Sequence, residues 1–179
     1  MRRLLLGLIS AIAAPACASA APPSALFGKS VIVSWSETRS QRNPGDAAFR
    51  PMNIPVELSV YISEKGNIFR RIFSMATSGA KGAKDRAGAS GNGGSGAYAV
   101  QFQGNSMVAN LTSGGYGSRI QVSFDAGFAG CTAQVIAAKQ AGAGTIKKIS
   151  PATGAVVEIE SVSAGSASCS IKAGNTFAN

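Results

Sequence analysis

Almost everywhere beyond residue 30, hydrophobic side chains recur at every second position, not every third or fourth. A chain patterned this way can bury one face of an extended strand, but it cannot present the stripe a helix needs. Val31, Val33 and Trp35 fall on one face, opposite Ser34 and Ser36. Leu58, Val60 and Ile62 alternate with Glu57, Ser59, Tyr61 and Ser63. Glu64-Lys65-Gly66-Asn67 is a turn signal, so this run and Ile68 to Ala76 should form a hairpin. In the second arm Ile68 and Ile72 share a face with Arg70, while Phe69, Phe73 and Met75 share the other with Arg71. That mixture leaves its inward face open.

The same alternation continues through Tyr98, Val100 and Phe102, then Met107, Ala109 and Leu111, then Ile120, Val122 and Phe124. Gly104-Asn105 and Gly114-Gly115-Tyr116-Gly117 supply the turns between them. Cys131, Ala133, Val135 and Ala137 line one side of the next strand. Residues 145–150 and 155–163 flank a turn at Pro151-Ala152-Thr153-Gly154, and a last short strand near Ala167 to Lys172 carries Cys169. The one Ala-rich stretch, Ala133 to Ala141, is bounded by glycine and lacks a capping residue, so no helix is predicted. About eight to ten short strands joined by tight turns predict an all-β fold. It should be a single antiparallel meander, closed as a lipocalin-like β-barrel or packed as a β-sandwich.

Two segments interrupt the pattern. Thr38 to Pro55 is polar and carries Pro44, Pro51 and Pro55, which reads as a long ordered loop. Residues 77–96 are rich in Gly, Ala and Ser around Lys81, Lys84, Asp85 and Arg86. Such a composition buries too little apolar area to offset ordering entropy and predicts a flexible insertion.

The N-terminus addresses the chain for export. Arg2 and Arg3 precede an apolar run from Leu4 to Ala14, and Ala18-Ser19-Ala20 offers the small residues of a signal-peptidase site. Residues 1–20 are thus expected to be a signal peptide cleaved after Ala20, leaving residues 21–179 as one domain. The run is shorter than the ~18–20 apolar residues that span a bilayer, so no transmembrane helix is predicted. Ala14-Pro15-Ala16-Cys17 loosely resembles a lipoprotein box, and lipidation at Cys17 is the competing reading.

Export bears on the cysteines and on the charge. Cys131 and Cys169 remain after cleavage and, in an oxidising periplasmic or extracellular setting, should pair. Their separation matches neither a redox CxxC nor a zinc site. Loss of Arg2 and Arg3 lowers the formal charge from +9 to +7, which favours an anionic partner such as acidic polysaccharide, lipopolysaccharide or an acidic protein. The candidate contacts are Arg70, Arg71, Lys81, Lys84, Arg86, Lys147 and Lys148, with further cations at Arg39 and Arg42. No run of five basic residues occurs, so an ordinary solvated surface is the competing reading of the charge, and nucleic acid is not the expected partner.

Catalytic constellations are scarce. The chain contains no histidine, which removes Ser-His-Asp and Cys-His catalysis and imidazole metal sites. Gly91-Asn92-Gly93-Gly94-Ser95-Gly96 satisfies GxGxxG but sits in a loop and opens a strand, not a helix, so it predicts no dinucleotide site. Clustered acids for calcium are absent, and no metal or cofactor is expected. Glu158 and Glu160, about 7 Å apart along one strand face, are the candidate pair for a carboxylate-based hydrolase. Tyr61, on the polar side of its strand, and Tyr116, in a glycine turn, are the candidate exposed aromatics. An aromatic content of 7% and Gly- and Ala-heavy strands argue against an outer-membrane barrel with aromatic girdles.

Three segments stand out together: FGKSVIVSWSE (Phe27 to Glu37), FDAGFAGCTAQV (Phe124 to Val135) and GNTFAN (Gly174 to Asn179). They resemble a family of small exported proteins from rhizobia and related alphaproteobacteria, over most of the mature chain except the Gly-rich insertion. The resemblance implies a Gram-negative host and an envelope compartment, and it carries over no catalytic residue. Three functions are then expected in order. The first is non-catalytic binding of an anionic envelope component or partner protein. A lipocalin-like carrier of a small apolar ligand, with room left by Ala109 and Ala133, comes second. The hydrolase comes third.

Overall fold

In a computed structural model, described over residues 21–75, 83–90, 99–113, 115–149 and 154–176, the period-two pattern becomes ten strands. They are β1 (Lys29–Arg42), β2 (Arg50–Ile62), β3 (Ile68–Met75), β4 (Ala83–Ser90) and β5 (Val100–Gln103). Then come β6 (Ser106–Ser113), β7 (Tyr116–Phe124), β8 (Cys131–Lys139), β9 (Ile146–Ile149) and β10 (Val156–Ala173). The segments 1–20 and 91–96, Lys81 and residues 151–153, to which the sequence assigned a signal, a loop, a cation and a turn, lie outside the described residues.

The strands form two antiparallel sheets, one of six in the order β4-β3-β2-β1-β10-β9 and one of four in the order β5-β6-β7-β8. No closed barrel exists among the described residues, so the barrel expectation is corrected and sandwich-like packing holds. The single meander is corrected too. Consecutive strands pair within β1–β4 and within β5–β8, but β10 returns to β1 with Lys29 opposite Ala173. This covers an edge that β1 would otherwise leave open. Ser30 secures the join: its hydroxyl donates to the Gly174 carbonyl at 2.8 Å and accepts the Thr176 N–H at 3.2 Å.

Val31, Val33 and Trp35 lie opposite Val60, Leu58 and Val56, and all six face the four-stranded sheet. That sheet answers with Val100, Phe102, Met107, Ala109, Ile120, Val122 and Phe124. Each fully buried aliphatic side chain contributes about 1.5–3 kcal/mol relative to exposure. In β3 the ambiguity resolves toward Ile68 and Ile72, which join this core, leaving Phe69 and Phe73 outward. Ala109 is fully buried and Ala133 packs against the core, so neither opens a ligand space. The disulfide joins Cys131 of β8 to Cys169 of β10, Cα atoms 5.6 Å apart, and so staples one sheet to the other.

Three segments differ from expectation, each for a local reason. The loop expected over 38–55 shrinks to residues 43–49, because β1 runs to Arg42 and β2 starts at Arg50. Pro51 and Pro55 are accepted because β3 pairs with β2 only from Val56 onward. The other edge of β2 needs no proline N–H there. Within the expected insertion 77–96, Ala83–Ser90 forms β4 beside β3. Ladder hydrogen bonds need no large side chains, and an open strand edge will template a small-residue segment. Finally, the separate strands expected over 155–163 and near Ala167 to Lys172 are one, β10. Register shifts opposite Trp35/Glu37 and Ser40/Gln41 each insert an extra β10 residue. Inward positions therefore move from Val157 and Ile159 to Val162 and Ala164, then to Ala167, Cys169 and Ile171. Two bulges hide the period.

Candidate functional site

The cations singled out in the sequence do not converge. Arg70 lies on the inward face of β3 and Arg71 on the outward face. Lys84 and Arg86 fall on the adjacent β4, whereas Lys147 and Lys148 fall on β9, at the opposite edge of the six-stranded sheet. Several cations are already engaged. Arg42 donates to Glu158 at 2.8 Å, and Lys147 lies 3.6 Å from the same carboxylate. Arg39 pairs with the buried Glu37 at 2.9 Å and sits 4.9 Å from the centre of the Tyr116 ring, with Lys148 Nζ 3.7 Å from that centre.

Tyr116 is therefore not the exposed aromatic that its glycine turn suggested. Gly115, at φ +95°, completes the turn, which makes Tyr116 the first residue of β7 and points it inward with Ser118 and Ile120. There it packs with Ile146, Val157 and Ile159, and its two cations close the end of the sandwich. Tyr61 is half-buried on the outward face of β2 and stacks on Phe69, centroids 6.1 Å apart.

Glu158 and Glu160 are engaged by different partners. Glu160 is the extra residue of a bulge and accepts from the Ser40 hydroxyl, while Arg42 and Lys147 hold the Glu158 carboxyl below its ordinary range. A general acid needs the opposite shift. Asp125 is lowered as well, because its carboxylate accepts the backbone N–H groups of Ala129, Gly130 and Gly127 at 2.9, 2.7 and 3.1 Å. That carboxylate builds the β7–β8 corner, where Phe128 at φ +53° folds back onto Phe124.

A different surface gathers unengaged polar groups: the outward face of the four-stranded sheet. Register places Gln103, Ser106, Ser123 and Thr132 in one row across the strands, and Gln101, Val108, Gln121 and Gln134 in the next. Asn110, Arg119 and Ile136 form a third row, and Thr112, Gly117 and Ala138 a fourth. Neighbouring side chains stand about 4.8 Å apart along a row, and rows are about 7 Å apart. Five amides and four hydroxyls share this face with one charge, Arg119, and no carboxylate. Only Ser106 among them uses its side chain internally, donating to the Gln103 carbonyl at 2.8 Å; the rest make no side-chain hydrogen bond among the described residues. Gly117 has no side chain, and the sheet dips there into a shallow depression of about 250 Å³ bordered by Asn110, Thr112, Arg119, Ile136, Lys139 and Gln140.

Sequence reasoning passed over this face because its residues occupied the polar half of an alternation that was read for its apolar half. A signal was present. Between Asp85 and Glu158 the chain carries a single acid, Asp125. Among the described residues there is no cluster able to hold a metal ion, and no helix is long and apolar enough to cross a membrane. Compared with family models, curated proteins and solved structures, the chain matches none.

Proposed function

We propose that this protein is an exported, non-catalytic β-sandwich that binds an acidic envelope polysaccharide through the outward face of its four-stranded sheet. The carrying observation is chemical: five amides and an arginine stand on one sheet face with no carboxylate among them and no internal side-chain partners among the described residues. Side-chain amides both donate and accept, as sugar hydroxyls do, and an acid-free face does not repel a polyanion. A net charge of +7 after signal removal adds a long-range attraction. The inter-sheet disulfide suits an oxidising compartment. The apolar-carrier reading loses its support because the inner faces fill one another.

The test must separate this face from general basicity. Affinity electrophoresis of residues 21–179 through gels holding hyaluronan, dextran or lipopolysaccharide would compare the protein with two variants of equal net charge. Gln121→Glu/Gln134→Glu places two acids on the proposed face, and Ser163→Glu/Ser170→Glu places two on the outward face of the six-stranded sheet. Retardation by hyaluronan should be lost in the first variant and kept in the second. Equal losses, or retardation by lipopolysaccharide alone, would overturn the reading.

A further inference from the structure

The depression at Gly117 makes the partner's chemistry more specific, a refinement that rests on polysaccharide binding by this sheet face. Its floor is low for a steric reason. A Cβ at Gly117 would stand 2.7 Å from the Leu111 carbonyl oxygen and 3.2 Å from the Thr112 Cα, so glycine is required by the closeness of the neighbouring strand. Arg119, exposed and without an ion pair or hydrogen bond among the described residues, rises beside this gap in the same row as Asn110 and Ile136. Ile136 is 51% exposed and offers an apolar ledge in the same row as Arg119. At the rim, Lys139 already donates to the Glu160 carbonyl at 2.8 Å. A single planar cation is thus framed by an amide, a hydroxyl and an apolar step.

We propose that this depression is the subsite for a uronic-acid residue of a sparsely charged polysaccharide. The guanidinium fork matches a carboxylate in two parallel hydrogen bonds. Asn110 and Thr112 take ring hydroxyls, and Ile136 lies under the C–H face of the ring. Charge density selects the class of polymer. A densely sulfated or phosphorylated chain needs many cations on its track, whereas this face supplies Arg119 alone among amides and hydroxyls, with one further cation, Lys139, tied at the rim to the Glu160 carbonyl. A polymer whose carboxylates are separated by neutral sugars fits that ratio.

Calorimetry with hyaluronan oligosaccharides, their carboxyl-reduced counterparts and heparin tests this. Carboxyl reduction should weaken binding about tenfold, equivalent to ~1.4 kcal/mol. Arg119→Gln should bind both forms at the reduced level, and Arg119→Lys should fall between. Because Arg119 is exposed and unpaired, an unchanged unfolding midpoint in Arg119→Gln would show the fold intact. The dependence of log K on log salt should have a slope on the order of one or less, as for a single ion contact. An Arg119→Gln protein that still prefers the carboxylate form, or heparin binding more tightly with a steep salt slope, would overturn the subsite while leaving the polysaccharide reading in place. If no oligosaccharide bound at all, both would fall.

Discussion

The two sheets turn unlike faces to solvent. On the six-stranded sheet several outward polar groups satisfy one another. Thr38 donates to Asn53 at 2.8 Å, Ser59 to Glu57 at 3.2 Å and Ser40 to Glu160 at 3.1 Å, and Arg42, Glu158 and Lys147 form a row of charges. On the four-stranded sheet the outward amides and Arg119 have no such partners among the described residues. Both faces are polar halves of the same period-two alternation. The difference shows that two equally polar faces can differ in how much of that polarity is left free for a ligand. What separates the two is how many donors and acceptors are already spent on each other, since a group with an internal partner must lose it before a ligand gains it.

The severest way to break the comparison is to detach the sheets. The disulfide closes a loop of 38 residues between β8 and β10. On the loop-entropy model Cys131→Ser/Cys169→Ser should therefore lower stability by about 4 kcal/mol, read as a fall in the denaturant midpoint. Binding to hyaluronan measured well below that midpoint should persist, because every proposed contact lies within one sheet.

A milder loss is expected at the β7–β8 corner. The folded Asp125 carboxyl titrates below its ordinary value because three backbone N–H groups hold its charged form. Its contribution is present above the unfolded value, near pH 4, and disappears as pH falls through the lower folded value. Asp125→Asn should thus be less stable than wild type at pH 7, with the gap closing in thermal melts taken progressively below pH 4. A gap that stayed constant down to pH 2 would remove the charge from the account.

The smallest effects sharpen the comparison most. Thr38→Ala removes a satisfied hydrogen bond on the six-stranded sheet and should cost about 0.5–1 kcal/mol without changing polysaccharide affinity. Gln121→Ala/Gln134→Ala removes unengaged amides and should leave stability within ~0.5 kcal/mol while weakening binding measurably. The reverse pattern would dissolve the distinction between the faces.

Much of the scaffold was legible from residue patterning, and much of the site was not. Val31, Val33 and Trp35, then Leu58, Val60 and Ile62, fall where alternation put them because burying one strand face leaves no other phase. The Cys131–Cys169 pairing was legible because only two cysteines lie beyond the expected signal segment. Tyr116 was misread because one residue of turn length decides which face a strand's first side chain takes. β10 was split in two because its bulges shift the phase twice, and a window of sequence cannot tell a bulge from a chain break. Arg119 was overlooked because an isolated arginine among polar residues has no local signature.

Alternation, turn glycines and cysteine count determined that this chain folds as antiparallel β-structure with an inter-strand disulfide, because those properties depend on neighbours within a few residues. Tertiary structure alone decided that β10 closes against β1, that two sheets pack instead of one barrel closing, and that Asn110, Arg119 and Ile136 share a row. Strand order and register are set by which distant edges meet and by how many residues each turn and bulge contains. Those quantities depend on the whole chain at once, and they in turn fix the surface chemistry of each sheet.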